Sequence, residues 1–583
     1  MTIRGKRPEN DIVLIQPPVA KACEAPGGLA RLAASLRRHG VVCRFWDANL
    51  EGQLWLLEAG GRAAGVGPGD PPARRLQKGA SRDAPAGKGA AACRTVVGGL
   101  EIPGRGEEGA SLRAEISGRS PGGDGYGAGI GAWTRRAARH RAENLASLRS
   151  WEGYRNPDRY RRAVMDVNRL LAEAPRPSGV RLSLADYEDE NLSPVRSADL
   201  LRAARTPEAN PFYSWFCERL REILDEGPAS CAGFSLNYLS QALTAFSMIG
   251  FLRREYPRLR IFLGGGLVTS WMRRPDWRNP FSELVNRMID GPGEGPLLAL
   301  FGKTRDGAPD RPDLSGFPLA DYLAPGVVLP YSASSGCWWR RCSFCPERAE
   351  GSLYRPLPAA QVTAHLSVLT AERKPALIHL LDNAISPGIL DALALVPPGA
   401  PWYGFARITP HLADPAFCGR LRDSGCVLLQ LGLESGDPDV LEALGKGIDL
   451  PTASAALRTL RKAGIASYVY LLFGTPAETP EAARRTLSFT VEHAGEIGFL
   501  NLAIFNLPAW GPEAEGLATG EFYEGDLSFY RAFSHPRGWN RMEVRRFLRN
   551  EFKRHPDVAA ILRRDPPFFT SNHAPFLAIA LSS

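Results

Sequence analysis

Cys337, Cys342 and Cys345 stand within nine residues, spaced C-x4-C-x2-C, directly after the apolar run Val327-Val328-Leu329-Pro330-Tyr331. This juxtaposition limits the folds open to the chain more than any other stretch. A short apolar run that stops at a polar loop reads as the end of a buried strand, and α/β proteins place their chemistry on such loops. Three thiolates this close can converge on one metal centre, and thiolates select iron–sulfur clusters, zinc or copper(I). A structural zinc site takes four ligands, commonly as two pairs. Here no second pair stands nearby, and the rest of the ten cysteines are scattered singly. A four-iron cube held by three local cysteines keeps one iron corner open for a cofactor or substrate.

The region after the loop alternates regularly. Ala359 to Thr370 reads as a helix, and Ala376 to Leu381 as a strand ending in Asp382-Asn383. Trp402 to Ile408, Cys426 to Leu433, Ser467 to Phe473 and Phe499 to Phe505 are further strands. Counted from Val327, strand and helix alternate six times, which predicts a parallel sheet curled into a partial (β/α)6 barrel over 320–510, open on one side.

The first part of the chain, 1–305, has a different α/β pattern. Asp11 to Gln16 reads as a strand, Gly27 to His39 as a helix closed by Gly40, and Val41 to Trp46 as a second strand, together a βαβ unit. From about 60 to 131 Gly, Ala, Arg and Pro dominate, and such an insertion buries too little apolar surface to offset its ordering entropy. Helical periodicity returns from about 133 to 225, interrupted by an irregular connection from Glu188 to Leu201. Cys231 to Leu236, Leu239 to Tyr256 and Leu259 to Leu263 then resume the strand–helix–strand order of a Rossmann-like domain. The remaining 511–583 is a helical tail: Arg541 to Arg554 reads as a basic amphipathic helix with Phe547 and Phe552 inward, and Pro566 to Phe569 as a docking segment.

At the cysteine loop the chain resembles the radical SAM superfamily, whose loop usually reads C-x3-C-x2-C with an aromatic residue before the last cysteine. Phe344 holds that place, and the first gap is one residue longer than usual. Gly432 to Gly436 ("GLESG") and Asp439 to Gly447 resemble later segments of the same family. Ahead of the loop, Pro26 to Gly40, Gly264-Gly265-Gly266 and Gly291 to Pro296 resemble the cobalamin-binding-like domain that precedes many radical SAM cores.

The resemblance implies a [4Fe–4S] cluster on Cys337, Cys342 and Cys345, with S-adenosylmethionine on the fourth iron and its reductive cleavage as the activity. It further implies a cofactor site built from Phe344, Asp382, Asn383, Glu434, Ser435, Gly474 and Pro476. Asp382 and Asn383 stand where the family usually has Gly-Gly-Glu, and a helix-cap role for them stays open. Gly264, Gly265, Gly266 and Glu294 are the residues it offers to a corrinoid. The Asp-x-His-x-x-Gly motif of base-off cobalamin binding is absent, so cobalamin-dependent methylation stands beside rearrangement, oxidation or thiolation.

Net charge is +9, part of it from arginines of the insertion and the tail, and no nucleic-acid recognition signature is found. No apolar run reaches membrane-span length and the basic N-terminus has no signal-peptide pattern. The expected partners are a small-molecule or peptide substrate and an electron donor such as flavodoxin or ferredoxin, with neither nucleic acid nor a membrane among them. The expected setting is cytoplasmic, where dispersed cysteines stay reduced. Two alternatives stay open: a non-catalytic zinc and nucleic-acid-binding module, and a degenerate scaffold that keeps a cluster without turnover.

Overall fold

Ile12, Val13, Leu14 and Ile15 are each at most 2% exposed, so the first strand is covered on both faces, as parallel sheets between helical layers are. The computed structural model describes residues 10–63, 131–307, 309–522, 525–566 and 573–579. The first sheet comprises β1 (Asn10–Gln16), β2 (Cys43–Asp47), β3 (Ala229–Ser235), β4 (Arg260–Gly264) and β5 (Arg287–Met288). All neighbours pair in parallel, in the order β2-β1-β3-β4-β5. The order reverses between β1 and β3, where doubly wound sheets open a crevice beyond the carboxyl ends of their strands. The Rossmann-like expectation is met.

The second sheet comprises β6 (Val328–Tyr331), β7 (Leu377–Ile385), β8 (Trp402–Ala406), β9 (Cys426–Glu434), β10 (Ala466–Phe473) and β11 (Phe499–Ile504). They follow one another in sequence order, all parallel, with β6 and β11 at the open edges. This is the order of a partial (β/α)6 barrel. Side chains alternate between two faces. Ile378, Leu380, Leu429, Leu431, Val469 and Leu471 pack with helix residues such as Leu366, Leu457 and Leu460. Leu377, Tyr403, Leu428, Tyr468 and Phe499 instead form a separate cluster with Ala574 and Ala578. The helix Ala574–Ala578 therefore lines the concave face of the sheet.

Three expectations change. Strand β7 does not stop at Leu381: a register shift between Leu380 and Ile385 carries it through Asp382 and Asn383. The segment read as irregular contains the strand Tyr187–Asp189, paired with Val180–Leu182, and the helix Ser197–Arg205, with Leu200, Ala203 and Ala204 buried. The insertion also begins later than expected. Gly60 to Ala63 complete the helix Ala48–Ala63, and most of the rest lies outside the described residues. Most of the docking segment after Pro566 also lies outside them. The tail departs as well: Thr519–Phe522 and Tyr530–Phe533 pair antiparallel, and the helix read over Arg541 to Arg554 ends at Asn550, with Phe547 on it and Phe552 in the 3-10 turn that follows, both buried. No helix among the described residues is long and apolar enough to cross a membrane.

Candidate metal and cofactor site

The cysteine loop leaves the end of β6 and is tied down before its first cysteine. Ser334–Ser335 pairs antiparallel with Arg355–Pro356. Asp382, 3% exposed on β7, accepts from the Ala333 amide at 2.9 Å and from the Ser334 hydroxyl. Burial pushes its carboxyl pKa up, and these hydrogen bonds oppose the shift. Asp382 thus anchors the loop rather than capping the helix that follows. Its neighbour Asn383 donates to Glu347 at 2.8 Å, just past the third cysteine.

The far side of the loop rests on the connection after β9. Trp339 Nε1 donates to the Gly445 carbonyl at 3.0 Å, and the Ser343 amide donates to the Leu444 carbonyl at 3.0 Å. Gly447 has φ 61°, and a Cβ there would overlap the Trp339 ring. Only glycine suits both the left-handed backbone and this close approach. Phe344 packs beside Val440, Leu444 and Ala482, with Lys446 Nζ 5.6 Å above its ring.

All three cysteines are free thiols. Burial raises the Cys345 thiol to about 11 and also pushes Cys342 up; Lys446 and Arg407 oppose the latter shift. The neighbouring thiols act on one another in the same sense. Among the described residues, no group of three or more His, Cys, Asp or Glu side chains is already arranged to hold a metal ion. The donor set nonetheless fits a cluster. Arg407 is 7% exposed, has no carboxylate partner among the described residues, and points Nη1 at Cys342 Sγ, 3.9 Å away. A buried cation without an anion is costly, and thiolates on a metal supply the missing negative charge.

The other sequence-derived residues stand at or just after the end of β9, after β10 or on the first sheet. Glu434, at the tip of β9 with φ 71°, accepts from Lys446 Nζ at 2.8 Å. Ser435 is fully buried, its hydroxyl taken up by Thr486 Oγ1 and the Asp437 amide at 3.1 Å each, so its burial gives no support to a ligand role. After β10, the Gly474 amide donates to Glu478, and Pro476 is half-buried. Glu478 turns inward, accepts from Trp539 Nε1 at 2.8 Å, and is raised by burial to about 7. The helix that follows is capped by Thr479.

On the first sheet, Gly265 has φ 108° and crosses tightly over Leu236, whereas nothing crowds Gly266 within 3.8 Å. Glu294 starts a helix and is paired with Arg31 at 2.8 Å. Arg407, Lys446, Trp338 and Trp339 were not among the sequence-derived site residues. No spacing signal points to Arg407 or Lys446, whereas Trp338 and Trp339 stand in the longer gap between the first two cysteines.

Residues 331–490 match the family model described as the Radical SAM superfamily. Over 232 residues the chain is 27% identical to an uncharacterized methyltransferase of Pyrococcus horikoshii, covering 36% of this chain and 50% of that one. Over 188 residues it is 27% identical to the bacteriochlorophyllide d C-12(1)-methyltransferase of Chlorobaculum tepidum, covering 30% and 40%. The chain thus spans half or less of these relatives' own length. Among solved structures, the radical S-adenosylmethionine methyltransferase TsrM from Kitasatospora setae, with cobalamin and a [4Fe–4S] cluster bound, is 18% identical. Its TM-score is 0.41, and the match covers 56% of this chain and 75% of that one.

Proposed function

The chain carries a radical SAM domain, and from that premise we propose that it is a radical SAM enzyme: Cys337, Cys342 and Cys345 hold a [4Fe–4S] cluster, and S-adenosylmethionine binds at the iron they leave open. The observation that carries this reading is the three-thiol loop at the end of β6, set against a buried arginine that has no carboxylate ion pair among the described residues. A bound cluster would supply the one electron needed for reductive cleavage of S-adenosylmethionine, and so the radical chemistry on the substrate.

The chain's own residues hold and orient. Asp382 fixes the root of the loop, and Asn383 reaches Glu347 beyond the last cysteine. Glu434 presents a carboxylate at the tip of β9, its charge balanced by Lys446, to the ribose hydroxyls or amino group of the cofactor. The backbone of Gly474 to Pro476 takes the adenine, and Phe344 steadies the loop between the last two cysteines. The open side of the barrel admits the substrate, and a flavodoxin or ferredoxin in the cytoplasm supplies the electron.

We further infer a corrinoid in the crevice of the first sheet, along Gly264 to Gly266, which makes radical methylation the natural outcome. The strand order β2-β1-β3-β4-β5 and the uncrowded Gly266 support it, as do two partial relatives that are named methyltransferases. Glu294 is paired with Arg31 and braces the helix beside that crevice.

The test is anaerobic reconstitution with iron and sulfide, followed by absorption and electron paramagnetic resonance spectra. S-adenosylmethionine and dithionite are then added and 5′-deoxyadenosine is assayed, with and without hydroxocobalamin. A brown protein that yields 5′-deoxyadenosine supports the reading. A loaded cluster without cleavage supports the degenerate scaffold, and a colourless zinc protein supports the binding module.

A further inference from the structure

We propose that Arg407 sets the reduction potential of the cluster: clamped by Trp338 and Trp339, its guanidinium donates to the Cys342 thiolate and favours the reduced cluster. The inference rests on the cluster reading above and assigns it a residue outside the cysteine motif. The longer first gap of that motif holds Trp338, Trp339, Arg340 and Arg341. The Arg407 guanidinium lies 4.0 Å from the Trp339 ring centre and 5.6 Å from that of Trp338. Trp339 is itself pinned through Gly445 and Gly447. Two aromatic faces and the Lys446 carbonyl, which accepts from Nη2, therefore fix the cation.

The charge balance gives the arrangement its sense. Two cations approach the thiols. Lys446 is already neutralised by Glu434, and the pair is almost wholly buried. Arg407 has no such partner among the described residues, and its buried Nε makes no hydrogen bond. One positive charge is thus held in a low-dielectric pocket beside a cluster ligand.

One-electron reduction moves an electron from an external reductant onto the cluster and adds one negative charge there, with no bond made or broken. A fixed cation and an N–H donor at a ligand sulfur both stabilise the more negative state, and cluster potentials respond to these two influences. The arginine side chain is also less readily deprotonated or hydrated than a lysine in the same place.

The experiment uses the full chain, reconstituted anaerobically, with iron counted and the midpoint read by a dithionite titration followed by electron paramagnetic resonance. The variants are Arg407→Gln, which removes the charge, and Arg407→Lys, which restores it. Expected is a loaded Arg407→Gln protein whose reduced-to-oxidised ratio falls about tenfold at a given potential, equivalent to about 59 mV for one electron. Arg407→Lys recovers most of that ratio, which a purely structural arginine does not require. A loaded Arg407→Gln protein with an unchanged midpoint overturns the assignment. Should Arg407→Gln take up no iron, Trp339→Leu decides, since it frees the guanidinium without removing it. A lowered midpoint supports the assignment and an unchanged one overturns it. An unaltered chain that takes up no cluster overturns the cluster reading as well, so the two failures are distinct.

Discussion

Glu24, on the loop that follows β1, accepts a hydrogen bond from His379 Nδ1 on the concave face of the barrel, at 2.9 Å to Oε1 and 3.0 Å to Oε2. The His379 ring is stacked on Tyr403 at 4.4 Å and 12°. One side chain from the loop after β1 therefore contacts the second sheet and ties the two together. Hydrogen bonds to charged groups contribute about 1.5–3 kcal/mol. Glu24→Ala should lower the thermal unfolding midpoint by a few degrees, and Glu24→Gln, which keeps an acceptor, by less. Unfolding curves for both variants that superimpose on that of the unaltered chain rule out the tie.

The thiol count makes a separate prediction. Replacing any one of Cys337, Cys342 or Cys345 by Ala removes one of three ligands and should leave little bound iron after reconstitution. Cys418 is buried against Leu412 and far from the loop in sequence, and Cys418→Ala should load normally. Iron counts decide: wild-type loading of Cys342→Ala would falsify the ligand assignment.

Gly447 and Trp339 should behave as a coupled pair. Gly447→Ala sets a methyl group into the Trp339 ring and strains a left-handed backbone at φ 61°. Such a clash costs about 1–3 kcal/mol, and the backbone strain about 1 kcal/mol of its own. In a Trp339→Ala background only the strain is left. Thermal unfolding of the two single variants and the double variant should therefore give a non-additive cycle. Strict additivity would show that the ring does not hold the loop down.

The strand–helix alternation was legible because each barrel strand is a continuous apolar run bounded by turn residues. Cys426 to Leu433 and Ser467 to Phe473 matched their strands to within one residue at each end. Strand β7 was cut short because Asp382 and Asn383 look like a loop, although a register shift carries them inside a strand. The cysteines were legible from spacing alone. Arg407 and Lys446 were not, because a lone cation has no spacing signal. Arg407 meets Cys342 across 65 positions and the Lys446 carbonyl across 39, and only the fold brings them together. Ser435 illustrates the opposite limit: a ligand hydroxyl and a turn-forming hydroxyl look alike in sequence, and burial against Thr486 separates them.

Glu478 ties the loop after β10 to the tail and should give that contact a pH dependence. Its Oε2 accepts from Gly474 and Trp539, while its buried Oε1 has no partner among the described residues. Burial raises the carboxyl from 4.5 to about 7, and the Asp437 charge adds to the shift. A raised carboxyl pKa means that the folded chain binds the proton more tightly than the unfolded chain does. Stability from this group is therefore full below pH 4.5 and is lost as pH rises toward 7, reaching roughly 3 kcal/mol at full ionisation. Glu478→Gln keeps the acceptor oxygen and removes the titration. Relative to the unaltered chain, the variant should gain stability steadily from pH 5 to pH 7.5 in denaturant unfolding. A stability difference between the two proteins that stays constant over that window would show that Glu478 does not carry a buried, shifted proton.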